Sequence, residues 1–220
     1  MIRFSVSSLV LLAAGSMPVF ADTPILVELF ATDNCAACPT AYRTLRTAEA
    51  ERDDIFVITW PVDYWDYLGH DDAMALEASK ERQLAYVERF ELRGPYTPQT
   101  VYDGVAQCAG NKRQRVDAAV DRIALDPSRD AGVSLYKQDG TIVLEGEVST
   151  LMDIVLVEYL DDETNHTDMV RPVISARSIA PWVGGRTEFR ADICQTHCAL
   201  IVQEVGYGPV QAVMDITPTS

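Results

Sequence analysis

Five cysteines, four of them in two close pairs, are the residues of this 220-residue sequence with most to offer chemically. Cys35 and Cys38 flank Ala36-Ala37 and precede Pro39, Cys194 and Cys198 flank Gln195-Thr196-His197, and Cys108 is left over. Asp33-Asn34 supplies a turn and a helix cap, so the first pair sits between an apolar run and a helix start. The unpaired N–H groups and the positive dipole end at such a start stabilise a thiolate. Cys35 is therefore expected to have a modestly lowered pKa and to attack a disulfide first. Cys38, one turn in, would resolve the mixed disulfide.

Two further residues fit that chemistry as catalytic candidates. Glu28, on the strand leading to the cysteines, could shuttle a proton for Cys38 provided it faces the helix. Pro98, in Thr97-Pro98 ahead of another strand, suits a cis-proline loop set against a redox pair. Thr97, with Trp65 and Tyr67 of the aromatic stretch Tyr64–Tyr67, could wall a substrate groove. Aromatic packing between an insertion and the core is the competing reading of that stretch.

The elements that must position these residues follow from periodicity. The apolar runs Ile25–Phe30 and Ile55–Trp60 read as buried strands, with a helix from Thr40 to about Arg52 between them. A second helix is expected from about Asp72 to Phe90, with Leu76, Leu84, Val87 and Phe90 on its apolar side. A strand over Gln99–Gly104 and a helix over Asn111–Leu125 complete an α/β domain spanning 22–126. Past Asp126-Pro127 the pattern changes to short strands: Gly132–Lys137, Thr141–Gly146, Ile154–Leu160, Val170–Ser178, Thr187–Ile193 and Ala199–Val205. Asp139-Gly140 marks a hairpin turn. A β-rich, antiparallel domain over 127–220 is the expectation.

Composition narrows the function classes. Eighteen basic against 33 acidic residues leave a net charge of −15. That charge opposes nucleic acid and anionic lipid as partners. Residues 1–21 have the layout of a signal peptide: Arg3, an apolar stretch from Leu9 to Ala14, and Val19-Phe20-Ala21 before Asp22. No stretch is expected to span a membrane. The expected location is periplasmic or secreted, where disulfides persist.

Several blocks resemble one family over nearly the whole chain. They are Val27–Phe30, Cys35–Pro39, Val62-Asp63-Tyr64-Trp65-Asp66-Tyr67-Leu68-Gly69, Glu81–Tyr86, Tyr96–Gln99, Asp103-Gly104, Val202–Gly206 and Gly208-Pro209. The family is that of secreted bacterial thioredoxin-like proteins known as domain of unknown function family 1223. The resemblance implies an α/β thioredoxin-like domain followed by a smaller β-rich domain, with Cys35 and Cys38 as the redox pair and Pro98 as the cis-proline. It implies no activity. The Cys194/Cys198 pair and Cys108 look like additions to the family pattern.

The sequence thus favours a thiol–disulfide oxidoreductase acting on protein or small-molecule thiols and disulfides, with no cofactor. The rival is a non-enzymatic binding module with Cys35/Cys38 as a static staple. Cys194/Cys198 reads as a disulfide closing a hairpin, with a second exchange pair that hands electrons to or from Cys35/Cys38 as an alternative. A copper or zinc site that adds His197 lacks a fourth ligand, so no metal site is assigned. Cys108 is read as a free buried thiol, with an intermolecular disulfide as the alternative.

Overall fold

The structure is a computed structural model that describes residues 23–64, 72–127, 129 and 132–218. The proposed signal segment, Trp65 and Tyr67 lie outside the described residues. The fold is mixed α/β and mostly β, with three helices and three sheets among the described residues.

The first sheet has the order β2-β1-β3-β4. β1 (Ile25–Ala31) runs parallel to β2 (Ile55–Pro61) and antiparallel to β3 (Gln99–Tyr102), which turns tightly into β4 (Ala106–Cys108). All seven residues of both β1 and β2 are buried. Continuous apolar runs of this kind belong to strands covered on both faces. On one face, Ile25, Val27, Leu29 and Ala31 meet Ala41, Leu45 and Ala48 of α1 (Cys38–Glu51) and Val116 and Val120 of α3 (Arg113–Ala124). On the other, Leu26, Phe30, Ile58 and Trp60 meet Tyr86 of α2 (Glu77–Arg89) and the second sheet.

That second sheet, β11-β10-β7-β8, is antiparallel throughout. It comprises β7 (Met152–Tyr159), β8 (Val173–Trp182), β10 (His197–Glu204) and β11 (Val210–Asp215). Ala199 and Ile201 of β10 face the first sheet, whereas Leu200 and Val202 face the third. The third sheet is β5 (Ser134–Gln138), β6 (Thr141–Gly146) and β9 (Gly185–Arg190). The layers therefore stack as helices α1 and α3, then sheet, sheet, sheet. One apolar cluster spans the change in character near residue 126, joining Leu26 and Ile58 to Val157, Ile201 and Val213.

Two sequence expectations need correction. Thr187–Ile193 and Ala199–Val205 do not form a hairpin, because β9 pairs with β6 and β10 with β7 and β11. The chain changes sheets between them through a 3-10 turn at Ala191–Ile193. The apolar side assigned to α2 is its inner side only at the ends, where Leu76 and Phe90 pack against the core. Leu84 is 45% exposed, while Ser79, Arg82, Gln83 and Tyr86 are buried. The reason is a carboxylate, Glu28, on the sheet face that this helix covers.

The turn between β3 and β4 allows little substitution. Gly104 has φ +68°, and a Cβ there would collide with the Gly208 carbonyl oxygen. Only glycine meets both demands without strain.

Candidate functional site

The segment between β1 and α1 is a wound loop that presents the first cysteine pair. Cys35 N–H donates to the Thr32 carbonyl at 3.2 Å, and Cys38 N–H to the Cys35 carbonyl at 3.0 Å. Asp33 N–H donates to Asp72 Oδ2 at 3.1 Å, which ties the loop to the segment entering α2. The helix starts at Cys38 with Pro39 in its first turn, and its N-cap is Ala37, which makes no side-chain cap. The expected cap at Asp33-Asn34 is thus displaced by one short turn. Cys35 stands just before the helix, next to first-turn N–H groups that no side chain satisfies.

Cys35 and Cys38 are joined by a disulfide, with Cα atoms 5.4 Å apart. Cys35 is 7% exposed and Cys38 0%, so any partner must reach the pair through Cys35. That is little exposure for a sulfur expected to attack first. The Thr97–Pro98 peptide is cis. Antiparallel pairing sets Phe30 against Gln99, so Pro98 and Thr97 follow on beside Ala31 and Thr32, where the cysteine loop begins.

The charges around the pair are negative. Asp33's carboxyl is pushed above the usual carboxylate range, first by burial and then by Asp72 and Asp168. Tyr42, one turn along α1 from Cys38, packs in the same cluster as both cysteines, and its hydroxyl finds no hydrogen-bond partner among the described residues. Burial, with Asp33, Asp72 and Asp168, raises its pKa further above the phenol range. Carboxylates that resist a charge on Asp33 resist one on Cys35 as well, and so oppose the helix terminus. An Asp33→Asn change is expected to lower the midpoint of Cys35 alkylation by about half a unit to one unit. The rate of iodoacetamide labelling against pH, in a Cys108→Ser background, measures this. A midpoint that stays put or rises contradicts it.

Glu28 does not serve Cys38. It lies on the sheet face away from α1, fully buried, where its carboxylate accepts from Trp60 Nε1 at 2.9 Å and from the Tyr86 hydroxyl at 2.6 Å. Arg82 Nε pairs with it directly. The alternation of a strand explains the error, since neighbours of residues that face a helix face the other way. Arg82 also donates to Gln203 Oε1 at 2.7 Å, and its guanidinium lies 5.0 Å from the Trp60 ring and 5.3 Å from the Tyr207 ring.

Cys194 and Cys198 form a second disulfide, Cα atoms 6.0 Å apart, buried between the second and third sheets. It closes the crossing from one sheet to the other, not a hairpin. Removing it in a Cys194→Ser/Cys198→Ser variant should cost about 2 kcal/mol by urea denaturation and leave Cys35/Cys38 exchange unchanged. Impaired exchange in a folded double variant would show that the two pairs communicate. Cys108 is free and half-buried, with the Tyr102 hydroxyl and Gly110 N–H each 3.4 Å from its sulfur. Among the described residues no group of three or more His, Cys, Asp or Glu side chains could hold a metal. Nor is any described helix long and apolar enough to cross a membrane.

The sequence reading missed Asp72, Tyr42 and Arg82. Tyr42 alone carried a local signal, its spacing of four residues from Cys38.

Comparison with known proteins fits this arrangement. Residues 26–170 match the family described as "Protein of unknown function (DUF1223)", and the chain belongs to that family. No curated protein matches the sequence. A crystal structure of a protein from Agrobacterium tumefaciens is similar with a TM-score of 0.75 at 21% identity, covering 91% of this chain and 96% of that one. HBP35 of Porphyromonas gingivalis is similar with a TM-score of 0.56 at 12% identity, covering 88% and 74%. Identities this low speak for a shared fold alone.

Proposed function

We propose that this protein is an extracytoplasmic thiol–disulfide oxidoreductase, in which residues 22–126 are a thioredoxin-like domain and the β-rich remainder buttresses its sheet. The observation that carries the reading is the placement of the Cys35–Cys38 disulfide. Cys35 stands just before an uncapped helix start that Cys38 opens, and Cys35 is the less buried of the two. The strand register leads the cis Thr97–Pro98 peptide toward the end of β1 from which the cysteine loop departs.

In the reducing direction, the Cys35 thiolate attacks one sulfur of a substrate disulfide. A Cys35–substrate disulfide forms and the other substrate sulfur leaves as a thiolate, which takes a proton from water. Cys38 then loses its proton and attacks Cys35 Sγ, and the second substrate thiolate leaves. Two electrons pass to the substrate, and the Cys35–Cys38 disulfide remains. Oxidation of a substrate dithiol is the same sequence reversed. The partners are protein or small-molecule thiols and disulfides.

Turnover of a disulfide-bonded protein with a thiol reductant tests the proposal. The full chain should accelerate reduction, and a Cys35→Ser variant should give only the uncatalysed rate. Equal rates from both proteins refute it. The low exposure of Cys35 favours one other reading, a binding module in which the pair is a staple. That reading predicts no acceleration by either protein.

A further inference from the structure

A cavity of about 300 Å³ lies where α2 meets the second sheet, on the face of the first sheet opposite the cysteine pair. Its volume is at the lower end for small-molecule sites. Trp60 and Tyr207 supply apolar wall, and Arg82 lines it from α2. Arg82 is 3% exposed, and its Nε and Nη2 are used by Glu28, Tyr86 and Gln203. Nη1 has no acceptor among the described residues. A guanidinium nitrogen that keeps free donors at a cavity wall, on a side chain otherwise held inside the protein, is placed for an oxyanion. Nothing about Arg82 is loose, because three aromatic rings and three hydrogen bonds fix it. Such pre-organisation reduces the entropy lost on binding.

The other charges at the cavity decide what kind of ligand fits. Arg177, exposed on β8, lines it and has no ion-pair partner among the described residues. Three carboxylates, from Glu81, Asp153 and Glu204, line it too. An anionic group would find Arg82 Nη1 and Arg177 but also meet these acids, whereas a cationic group would find the acids but also meet Arg177. Only a ligand carrying both charges satisfies both sets.

We propose that this cavity binds a small zwitterion, its carboxylate on Arg82 Nη1 and Arg177 and its ammonium on the acidic side. The chemistry is that of a free amino acid or of a short peptide with both termini free. The site stands independently of the cysteine chemistry, which lies across the sheet.

Isothermal titration of the full chain with L-alanine, L-leucine and L-alanyl-L-alanine tests it, with acetate and methylamine as single-charge controls. At least one zwitterion should give saturable heat at up to millimolar concentrations, with a matching change in tryptophan fluorescence from Trp60. Amino acids or the dipeptide alone binding would identify the source. Arg177→Ala and Glu81→Gln, both at exposed positions, should each weaken binding by about tenfold. No binding by any zwitterion overturns the proposal, as does acetate binding equally well or insensitivity to both substitutions.

Discussion

A Cys38→Ala variant of the full chain is expected to stop halfway through exchange and accumulate a covalent complex with its substrate. Cys35 can still attack, but no second sulfur stands next to Cys35 Sγ to release the product. The complex should appear on non-reducing gels, disappear with excess reductant, and be absent from Cys35→Ala and from Cys35→Ala/Cys38→Ala. Steady turnover should fall to the uncatalysed background in all three variants. The assignment of roles rests on burial, 7% against 0%, and on Cys35 lying before the helix start with Cys38 inside it. Trapping through Cys38 in the Cys35→Ala variant would reverse the roles. Trapping through Cys108, half-buried beside Tyr102, would move the chemistry to another sulfur.

The second large effect lies on the other face of the sheet. Glu28 and Arg82 form an ion pair with side-chain exposures of 0% and 3%, sealed by Trp60, Tyr86 and Gln203. Removing one charge leaves the other buried without its partner. Glu28→Gln and Arg82→Met should therefore each destabilise the chain by about 3–5 kcal/mol. The double variant should lose less than the two together, since neither charge then remains stranded. Urea unfolding with an unchanged m-value measures both. Under conditions where Glu28→Gln remains folded, its Cys35/Cys38 exchange rate should equal that of the parent. Slowed resolution of the mixed disulfide in that variant would restore Glu28 as a partner of Cys38.

How far the sequence reached can be judged from these same residues. Features set by short stretches of chain were readable. The hairpin at Asp139-Gly140 joins β5 and β6, β6 occupies Thr141–Gly146, and α1 begins two residues before the expected Thr40. The Cys-x-x-Cys and the cis X-Pro bond are local features of the same kind. Features set by what packs on the other side were not readable. The middle of the inner face of α2 carries Arg82 because it must answer Glu28, and apolar periodicity has no way to register a buried ion pair. β11 was not among the expected strands, and its place is set by pairing with β10. In the structure Val213 N–H reaches the Thr23 hydroxyl at 2.9 Å, tying β11 to the residues that lead into β1. The acidic setting of the cysteines depends on Asp72 and Asp168, 34 and 130 residues beyond Cys38, and no local pattern could have supplied it.

That setting gives the proposed chemistry its particular character. The helix start favours a thiolate on Cys35, while Asp33, Asp72 and Asp168 oppose it. With no imidazole between the cysteines, the reduced form gains little extra stabilisation. The pair should then sit toward the reducing end of exchange-active couples without becoming inert.

The reduction potential of Cys35–Cys38, with Cys194 and Cys198 left paired, tests the central claim most directly. The full chain is equilibrated in glutathione or dithiothreitol buffers and the free thiols are counted by mass after alkylation. The account predicts equilibration within minutes and a potential above about −300 mV. A pair that resists exchange for hours, or that stays oxidised below about −300 mV, is a staple and contradicts the account.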